Sequence, residues 1–229
     1  MILTLIGMSG AGKSFLAAKF AAHDFLLVDC DALLATKLQS LLGPVGSTLE
    51  QIGRWMGLPY HPHFRQREAL YLACEMLTLR DVIGQAKACA ASQTNCLIDT
   101  GGSIIYADRA LWQRLRQYST VIYLRIPQRL QQQLLSSYLE QPRPLIWNGL
   151  FEQAENESLA AAFRRSYAQL LRQREQMYEA CSDVVLEYEY YREATLTVEQ
   201  LIEEVQAAAE QARAADAASG EQDRGYFES

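Results

Sequence analysis

No two of the five cysteines (Cys30, Cys74, Cys89, Cys96 and Cys181) stand at C-x-x-C spacing, and their number is odd. That pattern suits neither a disulfide framework nor a zinc site and reads as small buried thiols in a reducing cytosol. No apolar run approaches the roughly 18 residues of a membrane span. The opening run Met1–Ile6 lacks a basic leader and leads directly into a glycine loop rather than a small-residue cleavage site, so a cytoplasmic protein with no membrane partner is expected. Basic residues are outnumbered: 21 Lys and Arg face 27 Asp and Glu, a net charge of −6. The chain therefore lacks the broad basic field of a nucleic-acid binder. Charged residues make up only 21% against 49% hydrophobic, which excludes disorder throughout and coiled-coil character.

What is present suits one α/β domain in 229 residues. Short apolar runs at Met1–Ile6, Phe25–Val28, Asn95–Ile98, Thr120–Ile126 and Asp183–Glu187 are each followed by a helical pattern. This alternation predicts a parallel sheet covered by helices on both faces. Capping boxes at Ser47-x-x-Glu50 and Thr197-x-x-Gln200 mark helix starts, the second opening a stripe of Val198, Leu201, Ile202, Val205 and Ala209. Breakers gather at 42–46, 57–62 and 141–144, the candidate loops or lid hinges. The polar, acidic stretch around 148–158 is expected to be mobile, the tyrosines of Tyr188-Glu189-Tyr190-Tyr191 read as an exposed strand end, and residues 214–229 as a disordered tail. The single domain is thus expected to span 1–213, with no internal repeat.

The strongest signal is Gly7-Met8-Ser9-Gly10-Ala11-Gly12-Lys13-Ser14, which fits G-x-x-x-x-G-K-[ST] between a strand and an Ala-rich helix. Backbone N–H groups of Gly7, Gly10, Ala11 and Gly12, continuing to Phe15, would cradle phosphates, with Lys13 reaching their oxygens and Ser14 ligating Mg²⁺. Phe25 to Asp31 reads as a strand ending in two carboxylates. Positions i and i+2 of a strand project to one side, so Asp29 and Asp31 are expected to face the same crevice, one supporting Mg²⁺ and the other the attacking hydroxyl. The alternative is that Asp31 caps the following helix. A third strand ends in Asp99-Thr100-Gly101-Gly102-Ser103, where the acid could support the metal and the glycines allow a ligand close to the backbone. Arg65, with Glu68 near enough to fix it, Arg143 between two prolines, and Arg174 supply guanidinium groups for carboxylate or phosphate. His61-Pro62-His63 has no third ligand in view and reads as structural.

In this order the P-loop, Val-Asp-Cys-Asp, Phe-Arg-x-x-Glu, Gly-Gly after the third strand, Arg-Pro-Leu and Arg-x-x-x-Tyr-Glu resemble the shikimate kinase family over roughly residues 1 to 190. The resemblance implies a three-layer P-loop kinase of nucleoside-monophosphate-kinase type, with a five-stranded parallel sheet, a substrate lobe near 32–90 and a lid near 141–158. It implies ATP and Mg²⁺, a carboxylated alcohol as acceptor, and transfer to the 3-hydroxyl of shikimate by a chain expected to be a monomer. By the same match Lys13 and Ser14 hold ATP and Mg²⁺, Asp29 the metal shell through water, and Asp31 the acceptor hydroxyl as base. Arg65 and Arg174 would clamp its carboxylate, Gly101 and Gly102 line its site, and Arg143 swing in from the lid.

The chain departs from the family pattern in several places. Ser103 stands where the family usually has a third glycine, and Gln133-Leu134-Leu135-Ser136 where an arginine often stacks on adenine. The intervals Asp31–Arg65, Arg65–Gly102 and Arg143–Arg174 are 34, 37 and 31 positions, implying an enlarged lobe. A kinase for another hydroxylated acid, or a non-catalytic nucleotide-binding regulator on the same fold, are the alternatives.

Overall fold

In the computed structural model the described residues are 1–43, 48–140 and 143–219. Strands β1 (Ile2–Ile6), β2 (Leu26–Asp29), β3 (Cys96–Asp99), β4 (Thr120–Arg125) and β5 (Val184–Glu187) form one sheet, each within a residue or two of its apolar run. All pairs are parallel, in the order β2-β3-β1-β4-β5. β1, β3 and β4 are central and bury nearly every side chain, which is why they read as unbroken apolar runs. Between β1 and β2 runs α1 (Lys13–Ala21); between β2 and β3 run α2 (Cys30–Leu42), α3 (Leu49–Met56) and the long α4 (Phe64–Ala91). Helices α5 (Arg109–Arg116), α6 (Gln128–Glu140), α7 (Leu159–Cys181), the short α8 (Tyr188–Tyr191) and α9 (Val198–Ser219) follow in order. Among the described residues no helix is long and apolar enough to cross a membrane. All five cysteines are free and buried.

The strand order reverses direction between β1 and β3, and the crevice above their carboxyl ends is where ligands of such sheets bind. α4 lies beside it. Its buried face runs Phe64, Glu68, Tyr71, Glu75, Thr78, Val82, Ala86 and Cys89, a stripe at helical spacing that carries polar groups in its middle.

Several local expectations are corrected here. The cap of α3 is Thr48, whose hydroxyl accepts from the Gln51 amide, while Ser47 lies outside the described residues. α9 continues to Ser219 instead of giving way at 214, because the alanines there have the highest helix propensity; positions 220–229 lie outside the described residues. The stretch 148–158 is tied down. Glu157 accepts from the Ala154 amide at 3.1 Å and pairs with Arg165, which holds its carboxyl down at about 2. Just before that stretch, Trp147 is buried among Tyr138, Phe151, Phe163 and Tyr167. Tyr188–Tyr191 is a turn of helix rather than a strand end, and Tyr191 points inward.

Candidate active site

The loop between β1 and α1 turns through three glycines with positive φ: Gly7 (144°), Gly10 (87°) and Gly12 (96°). At Gly7 a Cβ would lie 2.9 Å from the Leu124 carbonyl oxygen on β4, so the loop sits directly on the sheet. The Ala11 amide closes the turn onto the Met8 carbonyl at 3.1 Å, and the Tyr191 hydroxyl, from the far end of the chain, donates to the Ala11 carbonyl at 2.8 Å. Tyr191 is thus a buttress of the loop that the sequence did not reveal. Lys13 is buried and donates to the Gly7 and Met8 carbonyls at 3.0 and 3.2 Å. Its burial pulls the ammonium pKa down, opposed by Asp99 and Asp31. Phe15 is 41% exposed, with the Arg192 guanidinium 4.4 Å over its ring.

The two acids after β2 divide differently from the strand expectation. β2 stops at Asp29, whose side chain caps α2 by accepting from the Ala32 amide at 2.9 Å. Asp31 is therefore already in the first helical turn and does not share a strand face with Asp29. Burial raises the Asp31 carboxyl pKa, with Lys13 opposing. Asp29 is in register with Asp99 on β3, and Asp99 accepts from the Ser14 hydroxyl at 2.9 Å. Ser14, Asp99 and Asp29 thus bring hard oxygen donors to one edge of the sheet, the donor chemistry that suits Mg²⁺. Among the described residues no cluster of three or more His, Cys, Asp or Glu could hold a metal by itself, so such an ion would take its remaining ligands from phosphate and water.

Next to the loop opens a cavity of about 260 Å³, with Ser9 and Gly10 on one wall and Asp31, Ser103, Arg143 and Arg174 around it. Arg143 reaches the phosphate loop, donating to the Ser9 hydroxyl at 3.1 Å. Arg174 is 4% exposed. It donates to the Gly102 carbonyl and to the Tyr178 hydroxyl, and its Nε is buried with no partner among the described residues. Gly102 has to be small: a Cβ there would come within 3.0 Å of that guanidinium.

Arg65 is not brought to this cavity. It is exposed at the start of α4, and Glu68 does not fix it: the Glu68 carboxylate is buried and accepts from the Trp147 and Asn148 amides instead. The reason is helical phase. Glu68 lies on the buried stripe of α4, whereas Arg65 lies off it. Two polar residues of that same stripe were missed, Tyr71 and Glu75. Their signal in the sequence is polar side chains at core-facing positions of a long helical pattern. Glu75 is buried, accepts from the Ser103 hydroxyl at 2.9 Å, and has its pKa pushed up to about 7 chiefly by burial.

A phosphate loop at a sheet's switch point, a carboxylate beside it, and two guanidiniums around one cavity define a P-loop phosphotransferase for small molecules. The sequence matches the shikimate kinase family over residues 9–206, and the chain belongs to that family. It is accordingly a small-molecule kinase that uses ATP. Among solved structures, the shikimate kinase of Bacteroides thetaiotaomicron is 18% identical, covers 93% of this chain and 98% of its own, and superposes with a TM-score of 0.53, a likeness of fold. That of Acinetobacter baumannii, solved in complex with shikimate, is 22% identical over 93% and 89% of the two chains, with a TM-score of 0.49. No curated protein sequence gives a match.

Proposed function

We propose that the chain transfers the γ-phosphoryl group of ATP to the 3-hydroxyl of shikimate. The observation that carries this reading is Arg174: a buried guanidinium with an unpartnered Nε lines the same cavity as Asp31 and the phosphate loop. An unpaired buried cation donor is costly unless an anion completes it, and a substrate carboxylate does so. Binding of the carboxylate at Arg174 orients the ring so that a hydroxyl meets Asp31. Asp31, its basicity raised by burial, accepts a hydrogen bond from that hydroxyl and takes its proton as the new O–P bond forms. Lys13 leaves its loop carbonyls for the phosphates, and Arg143, already at Ser9, covers the transferring group; both neutralise charge that grows during transfer. Ser14, Asp99 and, through water, Asp29 would hold Mg²⁺, which supplies further neutralisation of the phosphate oxygens.

A coupled assay of ADP release tests this reading. Wild-type protein with ATP, Mg²⁺ and shikimate should turn over, and Asp31→Asn should lower kcat at least about 100-fold while KM for ATP stays within a few-fold. Absence of shikimate-dependent ADP release, or full turnover in Asp31→Asn, rejects it.

A further inference from the structure

Beyond β3 the chain turns through Thr100, Gly101, Gly102 and Ser103, and this turn is fixed from both sides. Thr100 donates its hydroxyl to the Leu5 carbonyl on β1 at 2.7 Å. At Gly101 a Cβ would lie 2.9 Å from Asp31 Oδ1 and 3.1 Å from Glu75 Oε1, so the backbone passes between two carboxylates no more than about 6 Å apart. The turn delivers Ser103 to the wall of the cavity.

One hydrogen bond of the Ser103 hydroxyl is fixed. Its hydroxyl proton is committed to Glu75 Oε1 at 2.9 Å. A hydroxyl has one proton and two lone pairs. The Tyr71 hydroxyl, also on the cavity wall, lies close to the same serine. With its own proton directed to Glu75, the Ser103 hydroxyl can only accept from a further partner. When ionised, Glu75 can only accept and so enforces this polarity. It is 3% exposed, its Oε2 has no partner among the described residues, and the nearby cation, Arg174, is engaged with Gly102 and Tyr178. The other polar groups facing Glu75 are Cys30 and Asp31 from α2, and Tyr106 and Tyr178. None of them makes a hydrogen bond to it among the described residues. A carboxylate buried this deeply for one serine is an expensive arrangement unless that serine has a task.

Resting on the acceptor reading above, we propose that Ser103, polarised by Glu75, is a specificity residue that accepts a hydrogen bond from a substrate hydroxyl other than the one phosphorylated. The cavity then presents a donor for carboxylate at Arg174 and acceptors for hydroxyls at Asp31 and Ser103, a complement to a polyhydroxylated acid. A site built to bond a hydroxyl discriminates against an analogue without it.

The test compares shikimate with two analogues, each lacking one of the two hydroxyls that are not phosphorylated, on wild type, Ser103→Ala and Ser103→Thr. Wild type should lose about 5- to 15-fold in KM with one analogue. Ser103→Ala should show a similar loss with shikimate, no further loss with that same analogue, and KM for ATP within about twofold, while Ser103→Thr restores the wild-type pattern. Equal KM for all three acceptors in wild type overturns the proposal and needs no variant to fold. So does a Ser103→Ala penalty of the same size on every acceptor. Wild type that turns over none of the three rejects the acceptor reading and this assignment with it, a result distinct from turnover without discrimination.

Discussion

Glu75→Gln removes a titration whose size follows from the site. The wild-type carboxyl is raised from 4.5 to about 7, first by desolvation and then by Asp31, against the Ser103 hydrogen bond and Arg174. A carboxyl whose folded pKa lies above its unfolded value holds its proton more tightly in the native state. Its contribution is therefore complete below the unfolded value and is lost as pH rises through the folded one. At 1.36 kcal/mol per unit the whole contribution is roughly 3 kcal/mol, of which about 2 kcal/mol disappears between about pH 5.5 and 8.5. Glutamine is neutral throughout and its amide oxygen still accepts from Ser103, so the variant keeps the contact without the titration. Urea unfolding of both proteins across that range reads the difference: wild type should lose about 2 kcal/mol relative to Glu75→Gln. Parallel curves would mean that Glu75 is hydrated and ionised in the native state, and the account of its burial would be wrong.

Three further perturbations separate the site from its surroundings. Arg174→Ala should raise KM for shikimate by about 10- to 100-fold, the worth of hydrogen bonds to a charged group, while Arg65→Ala stays within about twofold; steady-state kinetics with the opposite order would return the carboxylate clamp to Arg65. Glu68→Ala leaves the buried Trp147 amide and the part-buried Asn148 amide without their acceptor, and should lower stability by about 2 kcal/mol in urea unfolding followed by tryptophan fluorescence. A wild-type midpoint would show that another group replaces the carboxylate. Gly7→Ala places a Cβ against the Leu124 carbonyl at a φ of 144°, so both thermal stability and ATP affinity should fall; unchanged ATP binding by calorimetry would free the loop from the geometry described.

The sequence by itself determined the elements that depend on near neighbours. Five apolar runs alternating with helical patterns became five parallel strands, because central strands buried on both faces must be apolar throughout. The phosphate loop was legible because glycines at positive φ, a following helix and its lysine all lie within eight residues. Tertiary structure decided how the remaining polar groups were shared. Asp29 takes the cap and leaves Asp31 to the cavity, since β2 stops at Asp29, two residues short of Asp31, and α2 begins at Cys30. Glu68 goes to Trp147 and Asn148 across 79 and 80 positions, Arg174 to Gly102 across 72, and Tyr191 to Ala11 across 180. Glu75 and Ser103, 28 positions apart, meet only because α4 packs beside the carboxyl end of β3. A hydrogen bond needs its partners within about 3.5 Å, and for groups so distant along the chain that proximity is set by helix phase and sheet order, which no local run of residues encodes.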